Sequence, residues 1–187
     1  MVSDMDVERT IINGPAVLRP VRTADARGWL SEAFNVRTWA ALGLSDAPFV
    51  QDNESFSPAS GTLRGLHFQR ASHAQGKLVR VVRGAAFTVA VDIRRASVTF
   101  GAHIAMTLAA DDGAQLWIPP GFAHGLVTTA PDTLVQSKLT AHFAPASVAG
   151  VAWDDPDLAI AWPPPGPRHI SERDRAWPRL KDLPAHT

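Results

Sequence analysis

The sequence predicts an all-β fold, a sandwich or barrel of roughly ten short strands. Apolar and polar residues alternate with period two in one stretch after another, the mark of strands with one buried face. Thirteen glycines and fifteen prolines are spread along the 187 residues rather than pooled, so the chain is punctuated into short segments. Helical signals are few.

The elements follow in chain order. Residues 16–21 and 29–35 read as the first strands. Val36–Leu42 then reads as a short helix closed by Gly43, whose missing Cβ suits a helix end. Strands are expected at 49–56, 61–69 and 77–82, with Arg83-Gly84 as the turn that folds the chain back into 87–94. In that strand Phe87, Val89, Val91 and Ile93 share one face. Further strands are expected at 102–108, Gln115–Ile118, 125–129 and 134–143. Pro163-Pro-Pro-Gly-Pro167 is a stiff connector, too short to link domains. Ser171 then caps a second short helix, with Asp174 three residues on. Residues 1–187 thus read as a single domain, with 163–187 forming a short helix and tail.

Composition narrows the function. Eighteen basic residues balance eighteen acidic ones, which argues against nucleic acid or an anionic membrane as partner, since both need a basic excess. With no Cys there is no disulfide framework, thiolate nucleophile or zinc-thiolate site. No apolar run approaches the ~20 residues of a membrane span, and the start lacks a signal-peptide pattern. A soluble cytoplasmic protein is expected. There is also no Tyr.

Chemistry should be scattered along such a chain, because a barrel's interior is lined by several strands. In Gly61-Thr-Leu-Arg-Gly-Leu-His-Phe-Gln69, strict alternation places Leu63, Gly65, His67 and Gln69 on one face. Gly65 there leaves room for a ligand or a backbone to come close. His67 is either a hydrogen-bonded core histidine or a general base set by a carboxylate. Lys77 shares a face with Val79 and Val81. It is either a lysine snorkelling to the rim or a cation that stabilises an enolate or a phosphate. Arg64, Arg70 and Arg80 together could hold a diphosphate. His124 follows the Pro119-Pro-Gly turn and opens the next strand, as a turn residue or a pocket-rim histidine. Asp174 caps a helix and can orient an imidazole with its other oxygen. A metal is not expected: the His-x-His pattern of metal-binding barrels reads His67-Phe-Gln69 here, and no other histidine pair has ligand spacing.

Read together, the segments resemble the dTDP-4-dehydrorhamnose 3,5-epimerase family. They are Arg27-Gly-Trp-Leu-Ser-Glu-Ala-Phe34, Phe49-Val-Gln-Asp-Asn53, residues 61–69, Ala74-Gln-Gly-Lys-Leu-Val-Arg-Val-Val-Arg-Gly84, Val89-Ala-Val-Asp-Ile-Arg-Arg95, residues 116–125, Trp153-Asp-Asp-Pro156 and Ser171-Glu-Arg-Asp174. They occur in the family's order across nearly the whole chain. The resemblance implies a cupin-like double-stranded β-helix, or jelly-roll barrel, with short flanking helices. It also implies a metal-free, cofactor-free homodimeric enzyme acting on a dTDP-linked 4-keto-6-deoxyhexose. By position, His67 matches the family's base, Asp174 its partner, Lys77 the cation near the keto oxygen and Arg64 a diphosphate contact. His124 matches another pocket residue. Arg27, Glu32, Gln51 and Asn53 fall in segments that bind the nucleotide, partly across the dimer interface.

The sequence also departs from the family. Ser137 stands where the resemblance places the catalytic Tyr that returns a proton from the far face, and His142 and Phe143 replace a Tyr pair. Glu54 stands where a His is usual, and Thr88 where an Asp often stands. Three readings follow: an epimerase that reprotonates through water or Ser137, at both carbons or at one only; an enzyme retuned for another keto-sugar; or a non-catalytic sugar-nucleotide binder. His142 as a substitute acid would need a bulge, because strict alternation puts it on the face opposite Ser137.

Overall fold

The computed structural model describes residues 5–164 and 166–184. Pro165 of the proline connector, His186 and the first four residues lie outside them. Two antiparallel sheets face each other. One runs β1 (Met5–Arg9), β2 (Ala16–Pro20), β10 (Gln115–Ile118), β7 (Lys77–Arg83), β12 (Thr133–Leu139) and β5 (Gln51–Ser57). The other runs β13 (Val148–Gly150), β6 (Leu63–Gln69), β11 (Phe122–Thr128), β8 (Ala85–Asp92) and β9 (His103–Ala109). A hairpin of β3 (Arg22–Asp25) and β4 (Gly28–Ser31) stands apart from both. This is the jelly roll that the resemblance implied.

Alternation sorts the strand residues into layers. Between the sheets, Val79, Val81, Ala86, Ala90, Leu116, Ile118 and Val135 form the inner core. The outer face of the five-stranded sheet buries Leu66, Phe68, Val89 and Val91 beneath the C-terminal segment, which supplies Leu158, Leu180 and Leu183. On the outer face of the six-stranded sheet, Leu18, Leu78 and Trp117 lie under Trp39 of α1 (Val36–Leu42). That helix has the expected bounds. Asn35 caps it by accepting from Arg37 N, and Gly43 ends it at φ +62°.

Four expectations need correction. Arg83-Gly84 is not a hairpin turn, because β7 pairs with β10 and β12 whereas β8 pairs with β9 and β11. The chain crosses from one sheet to the other there. Gly84 permits this at φ +77°, where a Cβ would stand 2.5 Å from Thr133 Oγ1. The strand expected at 125–129 begins earlier, at Phe122, because the chain enters the second sheet directly from the Pro-Pro-Gly turn; His124 sits inside it, opposite His67. The strands expected at 29–35 and 134–143 both end early, at Ser31 and Leu139.

Candidate active site

Strand β6 carries a fault in its pairing. His124 of β11 lies opposite His67, and Leu126 opposite Arg64, so three steps on β6 span two on β11. The bulge turns Arg64 and His67 to the same side, which strict alternation forbids. Gly65 makes it sterically feasible: a Cβ there would meet Gly125 Cα at 2.5 Å and His124 O at 2.8 Å. The close approach at Gly65 is therefore by backbone.

The result is a cavity of about 270 Å³ between the sheets, lined from β6, β7, β11, β12 and β5 by Arg64, His67, Lys77, His124, Ser137 and Asn53, among others. His67 Nε2 lies 2.5 Å from Asp174 Oδ1. A carboxylate only accepts, so Nε2 donates, and the neutral ring keeps its lone pair on Nδ1. Asp174 comes from α2 (Glu172–Arg175), where its amide donates to Ser171 Oγ at 3.1 Å. Its side chain is thereby free for other partners: Oδ2 accepts from Gly65 N at 3.3 Å and Oδ1 also accepts from Trp177 Nε1 at 3.2 Å. Burial works to raise the Asp174 pKa, but the His67 contact, the Gly65 amide and the Trp177 indole outweigh it and hold the carboxyl below its ordinary value.

Lys77 enters from the facing sheet and donates to His67 O at 3.1 Å. Among the described residues no carboxylate forms an ion pair with it. Burial without an anion pushes its pKa down to about 8. His124 is buried, and Thr88 Oγ1 lies 2.9 Å from its Nε2. Burial first, then the charges of Lys77 and His67, depress its pKa well below the usual histidine value, so the ring stays neutral. Arg64 is held at the mouth by Phe56 O at 3.0 Å and Ser57 Oγ at 3.3 Å.

Other residues of the sequence reading fall elsewhere. Arg80 points out of the barrel to Gln136 and Arg70 donates to Ala146 O, so the expected arginine triad does not gather; Arg64 alone of the three lines the cavity. Gln51 braces the rim by donating to Asn53 Oδ1 and accepting from Phe143 N. Arg27 pairs with Asp25 at 2.6 Å in the turn of the β3–β4 hairpin, and Glu32 accepts from Asn35 ahead of α1. Neither lines the cavity of its own chain. Gln69, the replaced second histidine, ties together the loops after β6 and β12, donating to His73 O and His142 O and accepting from Ala144 N. Among the described residues no cluster of three or more His, Cys, Asp or Glu is placed to hold a metal. The reading of single motifs missed Trp177, which lies beyond α2 and carries no spacing signal linking it to His67.

A His–Asp pair, a buried lysine and a mouth arginine gathered at one end of a barrel are groups that can move a proton and meet an anion. The whole chain places this more closely: residues 9–182 match the family model described as dTDP-4-dehydrorhamnose 3,5-epimerase, and the chain belongs to that family. A dTDP-4-dehydrorhamnose 3,5-epimerase of Sinorhizobium fredii is 46% identical over 90% of this chain and 86% of its own. The Legionella pneumophila epimerase, solved in complex with dTDP-4-keto-L-rhamnose, superposes with a TM-score of 0.93 at 37% identity, covering 97% of this chain and 96% of that one. A 3'-monoepimerase of Streptomyces bikiniensis, in complex with dTDP-quinovose, gives 0.87 at 31% identity over 92% and 86%. No described helix is long and apolar enough to cross a membrane.

Proposed function

We propose that this chain epimerises a dTDP-linked 4-keto-6-deoxyhexose, with His67 as the base that removes a proton alpha to the ketone. The observation that carries the reading is the His67–Asp174 contact of 2.5 Å in the wall of a cavity that also holds Lys77. An alpha proton is weakly acidic, so its removal needs both a base and a charge beside the developing enolate oxygen. Asp174 orients the imidazole and stabilises it once protonated, Lys77 faces the enolate oxygen, Arg64 meets the diphosphate, and His124, as a neutral ring, hydrogen-bonds the sugar. Arg27, Glu32, Gln51 and Asn53 contribute to nucleotide binding, Arg27 and Glu32 from a second copy in a homodimer. A cytoplasmic setting goes with this reading.

Inversion requires the proton to return from the opposite face. Ser137 lies on that opposite wall, and its hydroxyl is far less acidic than a phenol. This favours a second reading: one carbon is inverted, or both slowly, with water completing the relay at Ser137. Incubation with dTDP-4-keto-6-deoxyglucose in deuterated water, followed by NMR at the two ring carbons, tests both. Exchange and inversion at both carbons is the full activity, and exchange at one is the restricted activity. No exchange despite dTDP binding leaves a non-catalytic binder and sinks the catalytic readings. His67→Asn must abolish any exchange; if exchange persists, His67 is not the base.

A further inference from the structure

The Asp174 carboxylate accepts from three donors, Gly65 N, His67 Nε2 and Trp177 Nε1, and the last of these also packs against His67. Trp177 stands three residues beyond Asp174, outside α2. Its Nε1 donates to Asp174 Oδ1, the oxygen that His67 also uses, at 3.2 Å. Its ring meets His67 edge-on, with centroids 6.0 Å apart at 73°. The indole is itself fixed on both sides. Gly150 of β13 offers it a bare backbone, where a Cβ would stand 2.5 Å from Cδ2 and Cε2, and the Arg173 guanidinium lies 5.1 Å from its ring centre.

We infer that Trp177 is a positioning residue of the His67–Asp174 pair: its indole N–H fixes the rotation of the carboxylate, and its edge fixes the plane of the imidazole. A carboxylate turns freely about its last bond, and one contact to an imidazole does not stop it. Here Gly65 N holds Oδ2 from the strand and Trp177 holds Oδ1 from the tail. The two anchors leave one orientation, in which Oδ1 faces Nε2. The same indole N–H favours the ionised carboxylate, so its loss raises the Asp174 pKa. Trp177 is absent from the cavity lining, so it acts through the pair and not on the sugar. The inference rests on the epimerase reading for its catalytic consequence, but the contact itself can be measured without substrate.

The test is Trp177→Phe, which keeps a ring against Gly150 and removes the donor. In the ligand-free protein, the 13C titration of the Asp174 carboxyl should move up from its wild-type position. With the keto-sugar, kcat should fall between about 10- and 100-fold with KM unchanged. Trp162→Phe is the control: it also removes an indole N–H, one donated to Trp153 O, and should leave Asp174 unmoved. A purely structural Trp177 would lower Tm while the carboxyl titrates as before, and that result overturns the inference. If Trp177→Phe does not fold, benzothienylalanine at position 177 keeps the indole's shape without its N–H and gives the same readout. A wild type that binds but never turns over the sugar defeats the epimerase reading alone, because the carboxyl titration still decides the role of Trp177.

Discussion

Lys77 sits where a chain rarely puts a lysine, on the inner face of β7 in line with Val79 and Val81. That placement explains its chemistry. Among the described residues its neighbours supply a carbonyl and no anion, so desolvation is uncompensated and its pKa is pushed down to about 8. A lysine with a lowered pKa is charged below that value and neutral above it. Enolate stabilisation should therefore be present at neutral pH and be lost as pH rises through about 8. Lys77→Met should reduce alpha-proton exchange by about 10²- to 10³-fold and abolish that alkaline fall. Lys77→Arg should keep a charge at high pH, so that whatever activity it retains no longer declines near 8; an unchanged decline would assign it to another group. The sequence made His67, Asp174, Lys77, Arg64, His124, Asn53 and Ser137 legible as a set through motifs. It did not make legible that Arg64 and His67 share a side, because a bulge is invisible to strict alternation. Nor did it mark Trp177, whose partners are 110 residues away on β6 or three residues back in the chain, with no motif joining them.

Strand β6 is the element on which the site depends, and its bulge rests on two glycines set back to back. Gly65 adopts φ +131°, and a Cβ there meets the backbone of Gly125 and His124. Neither neighbour can move without breaking the β6–β11 ladder. Gly65→Ala should therefore destabilise the fold by about 3 kcal/mol, combining a disfavoured backbone conformation with overpacking. A Cβ on Gly125 first meets Leu66 Cδ2 at 2.6 Å, the far end of a flexible side chain, though Arg64 O follows at 3.1 Å. Gly125→Ala should cost less, about 1 kcal/mol. Urea unfolding of the two variants checks the order, and equal costs would mean the bulge relaxes freely. Strand ends are less legible in the sequence than strand interiors. Alternation located the strands, and α1 and Gln115–Ile118 were placed at their true bounds. Where a strand stops is decided by the crossing between sheets, as at Gly84 and after Ile118, and not by the residues' own pattern. Three short strands are not legible in the sequence: β3 and β13 have no apolar alternation, and β1 alternates only over Met5-Asp6-Val7-Glu8, too short a run at a sheet edge to stand out.

At the scale of the whole molecule, the two outer sheet faces are covered from within the chain, by α1 on one side and the C-terminal segment on the other. The β3–β4 hairpin is not. Trp29 is 60% exposed and Leu30 79%, on a four-residue strand that, among the described residues, pairs only with its own hairpin partner. Arg22 stacks over Trp29 at 4.1 Å, which orders the indole without covering it. Arg27 and Glu32 flank these residues and do not line their own chain's cavity. A second copy supplies the cover in the proposed homodimer and puts those two polar side chains to use at its partner's nucleotide. The zero formal charge of the chain leaves little long-range repulsion to oppose such pairing. Leu30→Asp places an unpaired charge in that proposed interface, so sedimentation should show a dimer for the wild type and a monomer for the variant. Its dTDP affinity should fall at least tenfold if Arg27 and Glu32 act across the interface, because a monomer cannot bring them to the site. The Asp174 carboxyl titration should stay as in the wild type, since the pair is built within one chain. A wild type that sediments as a monomer would refute the shared site, and a Leu30→Asp protein that remains dimeric would move the interface off the hairpin. A monomeric variant with undiminished affinity would confine nucleotide binding to Gln51, Asn53 and Arg64 of a single chain.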